Sequence, residues 1–216
     1  MEDVLDLYAE AYDPKRPVVC FDELPYQLLA EVNAPLPAKP GQSKRQDYEY
    51  QRKGHCSLFI GFEPLTGQRQ VSVRERRTSQ DFAKEMQQLV ARYPDADTIR
   101  VVLDNLNTHT PAALYQTFAA EEARRLTRKL EFHYTPKHGS WLNMRAGPGG
   151  AVLPKTAEIE WSVLSRQALS GRLADIFTVA ARVNPWQTER NHRRATVNWC
   201  LSTAHARTKL ARPYPN

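Results

Sequence analysis

The sequence predicts a mixed α/β sheet of five strands with helices on both faces. Three observations carry this expectation. Two runs of β-branched and apolar residues end abruptly in aspartate, Val18-Val19-Cys20-Phe21-Asp22 and Val101-Val102-Leu103-Asp104, the pattern of a buried strand delivering a carboxylate to the rim of a sheet. Between them lies a hairpin pattern, His55–Phe62, a turn over 63–67 and Gln68–Arg74. After it, segments of helical period alternate with strand-like ones, as crossover connections require.

Taken in order, a short helix over Asp3–Ala11 stops at Asp13-Pro14, and strand one covers Pro17–Asp22. Residues 24–54, rich in Pro, Lys and Gln, read as a long loop or arm. Beyond the hairpin, Ser79 is placed to cap a helix carrying Phe82, Met86, Leu89 and Val90 on one face. Thr98–Asp104 is the most strand-like run. A single helix from Pro111 to Lys129 follows, with proline in its favoured first turn. Leu130–Tyr134 is the fifth strand. Residues 135–144 form a polar loop, and 145–156, with three of the nine glycines, are expected to be irregular. Thr156 caps a helix to about Leu169. A basic, mainly helical tail covers 172–216, with one helix over 172–183 broken or kinked at Asn184-Pro185, a strand at Thr196–Leu201 and a short helix to Leu210.

At 216 residues, 41% hydrophobic and 25% charged, the chain suits one domain, 1–216. No apolar run reaches the ~20 residues of a membrane span, and the acidic start Met1–Asp6 is not a signal peptide. Cys20, Cys56 and Cys200 lack zinc spacing and are expected as buried thiols of a reducing cytoplasm. Charge is divided unevenly: residues 1–120 carry a net −3 and residues 121–216 a net +9. An acidic half holding metal and a basic half facing phosphate suit a nucleic-acid enzyme, and a solvated basic surface explains the same numbers.

The chemistry-bearing residues are oxygen donors. Asp22, Asp104 and the acids of Ala157-Glu158-Ile159-Glu160-Trp161 suit hard Mg²⁺ or Mn²⁺, and two such ions can clamp both oxygens of an in-line phosphoryl displacement. Strand-end turns and a helix N-terminal acid are the competing explanation. Asn105, Asn107 and His109 follow Asp104 where a phosphate could be met, or where local turns and a cap would use them. His138 and Ser140 are candidates to position a scissile strand, and Trp141 to fill the core. Lys137, Arg190, Arg193 and Arg194, with Arg124 and Arg125, are candidate phosphate contacts. No Gly-x-Ser-x-Gly elbow supports a serine hydrolase, and His109, His133 and His138 have no zinc spacing.

The element order, with acids on the first and fourth strands and a later helix, is that of a ribonuclease H-like sheet. The stretches Val18–Glu23, Asp104–His109, His138–Met144 with Ala157–Gln167, and Trp186–Asn191 with Ala195–Trp199 closely resemble bacterial insertion-sequence transposases of the Tc/mariner superfamily, the branch numbered six-thirty. The resemblance implies a DDE catalytic domain that cuts DNA and transfers the freed strand with Mg²⁺ or Mn²⁺, two ions, acting on double-stranded transposon ends and target as a homodimer in a synaptic complex. It implies Asp22, Asp104 and Glu158 as the triad, with Glu160 as the alternative third acid about 200° around the helix. In the family the third acid shortly follows a Leu-Asn pair. Here Arg145–Thr156 splits that segment, leaving 53 residues rather than 41 between Asp104 and Glu158. The N-terminal helix-turn-helix domains usual in the family are expected to be absent. Two other functions fit: an inactive remnant that only binds DNA or sibling subunits, and a structure-directed nuclease.

Overall fold

The computed structural model describes residues 2–135, 146–147, 150–151 and 156–196. Elements run α1 (Glu2–Ala9), β1 (Val18–Glu31), β2 (Tyr50–Glu63), β3 (Gln68–Arg74), α2 (Ser79–Arg92), β4 (Ile99–Leu103), α3 (Ala112–Thr117), α4 (Ala120–Lys129), β5 (Leu130–Tyr134), β6 (Ala146–Gly147), β7 (Gly150–Ala151), α5 (Thr156–Gln167) and α6 (Ile176–His192). β1 to β5 form one mixed sheet in the order β3-β2-β1-β4-β5. β3, β2 and β1 are antiparallel neighbours, while β1, β4 and β5 are parallel. This is the ribonuclease H-like arrangement expected from the sequence.

Each face of the sheet is closed by its own helices. Val18 and Cys20 of β1 join a core with Val4 and Leu7 of α1, Trp161 and Leu164 of α5, and Val179 and Val183 of α6. Val19 and Phe21, pointing the other way, pack with Phe82 and Met86 of α2, Leu114 of α3 and Leu126 of α4. Coverage on both faces explains why β4, Ile-Arg-Val-Val-Leu, is buried at every position. Arg100 within it is satisfied by the Arg16 carbonyl, 2.6 Å from its Nη2, and by Glu10.

Five expectations are corrected. Residues 24–54 are not one loop: β1 runs on to Glu31 and β2 starts at Tyr50, leaving only 32–49 as the connection, with the bridges Leu36↔Arg45 and Lys39↔Gln42. Pro25 hides this strand in the sequence. It is tolerated because the pairing with β4 stops at Cys20↔Val102, so β1 is an edge there and needs no N–H on that side. The cap of α2 is Thr78, in a reciprocal capping box with Asp81, and not Ser79. The helix expected from Pro111 to Lys129 is two helices, separated by extended backbone at Phe118 and Ala119 where the half-buried Phe118 packs into the core. α6 is capped by Asp175, whose side chain accepts from the Thr178 N–H, starts at Ile176 and continues through Pro185 to His192. Pro185 is exposed, and the burial of Val183 and Trp186 on the opposite side holds the helix together across it. In the insert, Ala146 pairs with Ala151 and Gly147 with Gly150, a short ladder where irregular chain was expected. The polar loop with Lys137, His138, Ser140 and Trp141, the strand expected at 196–201 and the helix to Leu210 lie outside the described residues, apart from Thr196, which is in no strand.

Candidate active site

The parallel pairing of β1 with β4 matches Val18 to Arg100, Val19 to Val101 and Cys20 to Val102. Two residues further along each strand stand Asp22 and Asp104. The register therefore sets these carboxylates at the same level on adjacent chain segments, spaced by about 5 Å of backbone, where β4 ends and β1 continues toward β2. Asp22 shares the side-chain parity of Val18 and Cys20 and so belongs to the face covered by α5. It is buried at 7% exposure, and Asp104 is half-buried. Carboxylates placed so closely in a low-dielectric rim favour a cation between them. Oxygen donors of this kind fit a hard divalent ion.

Glu23, the next residue, takes the opposite face and anchors a chain of polar contacts that the sequence reading leaves unassigned. Its Oε1 lies 2.9 Å from Nη1 of Arg77, and its Oε2 lies 3.7 Å from Nε2 of His109. Nδ1 of His109 donates to Oδ1 of Asp104 at 2.7 Å. The imidazole is wholly buried, tilted against Phe82 at 4.8 Å and edge-on to Phe21 at 5.7 Å. The Tyr134 hydroxyl donates to its backbone carbonyl at 2.8 Å. Burial alone disfavours the imidazolium, but the hydrogen bond to Asp104 and the charges of Asp104 and Glu23 outweigh it and raise the pKa from 6.5 to about 9. His109 is therefore not a phosphate contact, as one sequence reading has it, but an internal strut that orients Asp104. The signal for it is the spacing itself: a turn after Asp104, closed by the His109 N–H to Leu106 carbonyl bond of 3.0 Å, returns residue 109 to the strand end.

Both candidates for a third acid, Glu158 and Glu160, are on α5. Glu160 is 1% exposed and held by two arginines: Arg69 Nε lies 2.9 Å from its Oε2 and Arg190 Nη2 lies 2.7 Å from its Oε1. So engaged, Glu160 is a structural ion-pair residue, and Arg190, expected at a phosphate, is largely committed to it. Arg193 is exposed and paired with Glu189 at 2.6 Å, and Arg194 is exposed with φ +46°. Asn105 is exposed on the loop beside Asp104. Glu158 lies within α5, but its side chain, like Lys137 and His138, falls outside the described residues. Among the described residues no set of three or more metal-ligating side chains converges. No described helix is long and apolar enough to cross a membrane, and Cys20 and Cys56 are buried and in no disulfide, with the Cys20 sulfur 3.0 Å from the Tyr8 hydroxyl.

The fold matches solved structures of a transposase. In the Mos1 mariner paired-end complex with Mn and in the Mos1 paired-end complex with left transposon end, the match has a TM-score of 0.55 at 15% identity, covering 89% of this chain and 55% of that one. In a pre-cleavage Mos1 transpososome it has a TM-score of 0.51 at 12% identity, covering 89% and 55%. The chain thus spans about half the length of the transposase chains it matches. No curated protein matches it. Residues 17–177, from the start of β1 into α6, match the DDE superfamily endonuclease family, and the chain belongs to that family.

Proposed function

We propose that this chain is the catalytic domain of a DNA transposase that cleaves a phosphodiester and joins the freed 3′ end to a target. The observation that carries the proposal is the in-register placement of Asp22 and Asp104 at the end of β4, in a chain of an endonuclease family. Glu158 is the third acid in this reading. Taking Glu160 as zero, position 161 lies about 100° and position 158 about 160° around α5. The buried side of the helix runs from Glu160 through Leu164 to Trp161. Glu160 reaches toward Arg69 on β3, α5 also packs on β1 and β2, and position 158 lies beyond Trp161 from Glu160 around the helix.

Asp22, Asp104 and Glu158 would hold Mg²⁺ or Mn²⁺, two ions in this reading. When bound, such ions stabilise the attacking and leaving oxygens of an in-line displacement. The chain's own residues set the geometry. β1 and β4 fix the two aspartates side by side, and His109 orients the Asp104 carboxylate through its Oδ1. A water oxygen attacks phosphorus and the P–O3′ bond breaks, giving a 3′-hydroxyl and a 5′-phosphate. The 3′-hydroxyl then attacks a target phosphodiester by the same in-line displacement. Asn105, Lys137, His138, Arg193 and Arg194 are the proposed contacts to the double-stranded DNA, all but Asn105 within the more basic part of the chain. A homodimer pairing two transposon ends is the proposed assembly.

The insert favours an active domain over an inert, DNA-binding remnant. Its Ala146↔Ala151 pairing folds the excursion back on itself, so the added residues need not separate Glu158 from Asp104. The test is nicking of supercoiled plasmid with Mn²⁺. The parent chain is expected to nick, and Asp22→Ala and Asp104→Ala each to lose at least about 100-fold of that activity. Undiminished nicking in both variants would exclude the proposal, and a folded parent that binds DNA without nicking would favour the remnant.

A further inference from the structure

Three elements meet at Glu160. Arg69 of β3, fully buried, places Nε 2.9 Å from Glu160 Oε2 and donates from Nη2 to the Ala195 carbonyl at 2.8 Å. Arg190 of α6 closes on the same carboxylate with both Nη2 and Nε, at 2.7 and 3.2 Å. Both guanidiniums lie over the Trp186 ring, 5.9 and 5.6 Å from its centroid. Asn191 clasps the Arg69 backbone from both sides, accepting its N–H at 2.9 Å and donating to its carbonyl at 2.8 Å. Burial pushes the Arg69 pKa down to about 10 against the pull of Glu160.

Energy alone does not explain such a cluster. Buried ion pairs are often no more stabilising than apolar residues of the same volume. What they add is direction. The apolar contacts of Trp161, Leu164 and Ala168 bury α5 on the sheet without fixing its rotation closely, because hydrophobic burial is non-directional. A carboxylate held by two cations on two other elements fixes it. A group about 5 Å from a helix axis moves roughly 1 Å for each 10° of rotation, and a displacement of about 1 Å at a reacting centre can cost around 100-fold in rate.

We propose that Arg69 and Arg190 are positioning residues for the metal site: by gripping Glu160 they set the rotation of α5, and with it the direction that helix position 158 faces relative to Asp22 and Asp104. This rests on the endonuclease reading with Glu158 as third acid.

Mn²⁺ alone is titrated calorimetrically into the full chain and into Asp104→Ala, Arg69→Met/Glu160→Met and Arg190→Gln, with thermal melts of each metal-free protein. The parent binds and Asp104→Ala does not. The double variant melts within about 5 °C of the parent yet binds Mn²⁺ at least about tenfold more weakly. Arg190→Gln, which loses a side chain 21% exposed and leaves the Arg69 pair in place, binds about threefold more weakly with an unchanged melt. Parent-like binding by the folded double variant overturns the positioning role. Should that variant not fold, parent-like binding by Arg190→Gln overturns it instead. Absence of binding by the parent, or its survival in Asp104→Ala, removes the endonuclease reading and the positioning role together. Loss in Asp104→Ala beside parent-like binding in the other variants removes the positioning role alone.

Discussion

Asp104 ends a strand, and the imidazole that holds it comes from five residues further on. The His109–Asp104 bond of 2.7 Å, backed by Glu23 and Arg77, ties the site to the α2 side of the sheet. Replacing His109 with Phe keeps a ring between Phe21 and Phe82 but strips Asp104 and Glu23 of their shared partner. A stability loss of about 1–3 kcal/mol is expected from urea unfolding at neutral pH; a variant as stable as the parent would show that the contact is incidental. Gly67 carries a different constraint. It closes the β2–β3 turn at φ +70°, and a Cβ there would lie 2.5 Å from the backbone carbon of Arg194. Gly67→Ala is therefore expected to cost about 1–3 kcal/mol and to displace the end of α6, read as faster proteolysis after Arg193 or Arg194. Asp22 and Asp104 are visible in the sequence because an apolar run that stops at an acid marks a strand end. The Glu23–His109 link is not, since it joins residues 86 positions apart through the packing of α2 against the sheet.

At the scale of elements, local signals succeed where they agree with packing and fail where packing overrides them. The β2–β3 turn, β3 and β5 fall where turn residues and alternation put them. The extension of β1 past Pro25 does not, because only its position at an edge makes proline harmless. The break between α3 and α4 has no glycine or proline to announce it, and Phe118 is drawn into the core instead. α6 shows the reverse case, a helix that passes through a proline because the face bearing Val183 and Trp186 is anchored. Pro185 is exposed and its backbone nitrogen has no hydrogen to donate, so Pro185→Ala is expected to raise stability by about 1–2 kcal/mol, the restored helix bond outweighing the looser unfolded chain. A lower melting temperature would instead mean that the proline itself is needed to seat Arg190 on Glu160. At the other end of the domain, Thr78→Ala removes the hydroxyl half of the capping box, leaving the backbone N–H of position 78 on Asp81, and is expected to cost about 1 kcal/mol by thermal unfolding, with plasmid nicking unchanged.

The whole molecule puts an acidic rim and a basic surface on one scaffold, and each aspartate reaches the site from a different strand. Two of its helices, α5 and α6, are bound to the sheet edge by ionic and amide contacts at β3, while the insert before α5 turns back through its own short ladder. That arrangement leaves the third acid dependent on how α5 is seated rather than on the length of chain before it. The central claim is that Asp22, Asp104 and Glu158 together hold a divalent ion. Anomalous diffraction from crystals of the full chain soaked in Mn²⁺ tests it most directly. The account predicts a manganese peak at bonding distance, about 2.1 Å, from oxygens of Asp22, Asp104 and Glu158, with Glu160 still closed on Arg69 and Arg190. A peak ligated by Glu160, or no peak beside Asp22 and Asp104, would contradict it.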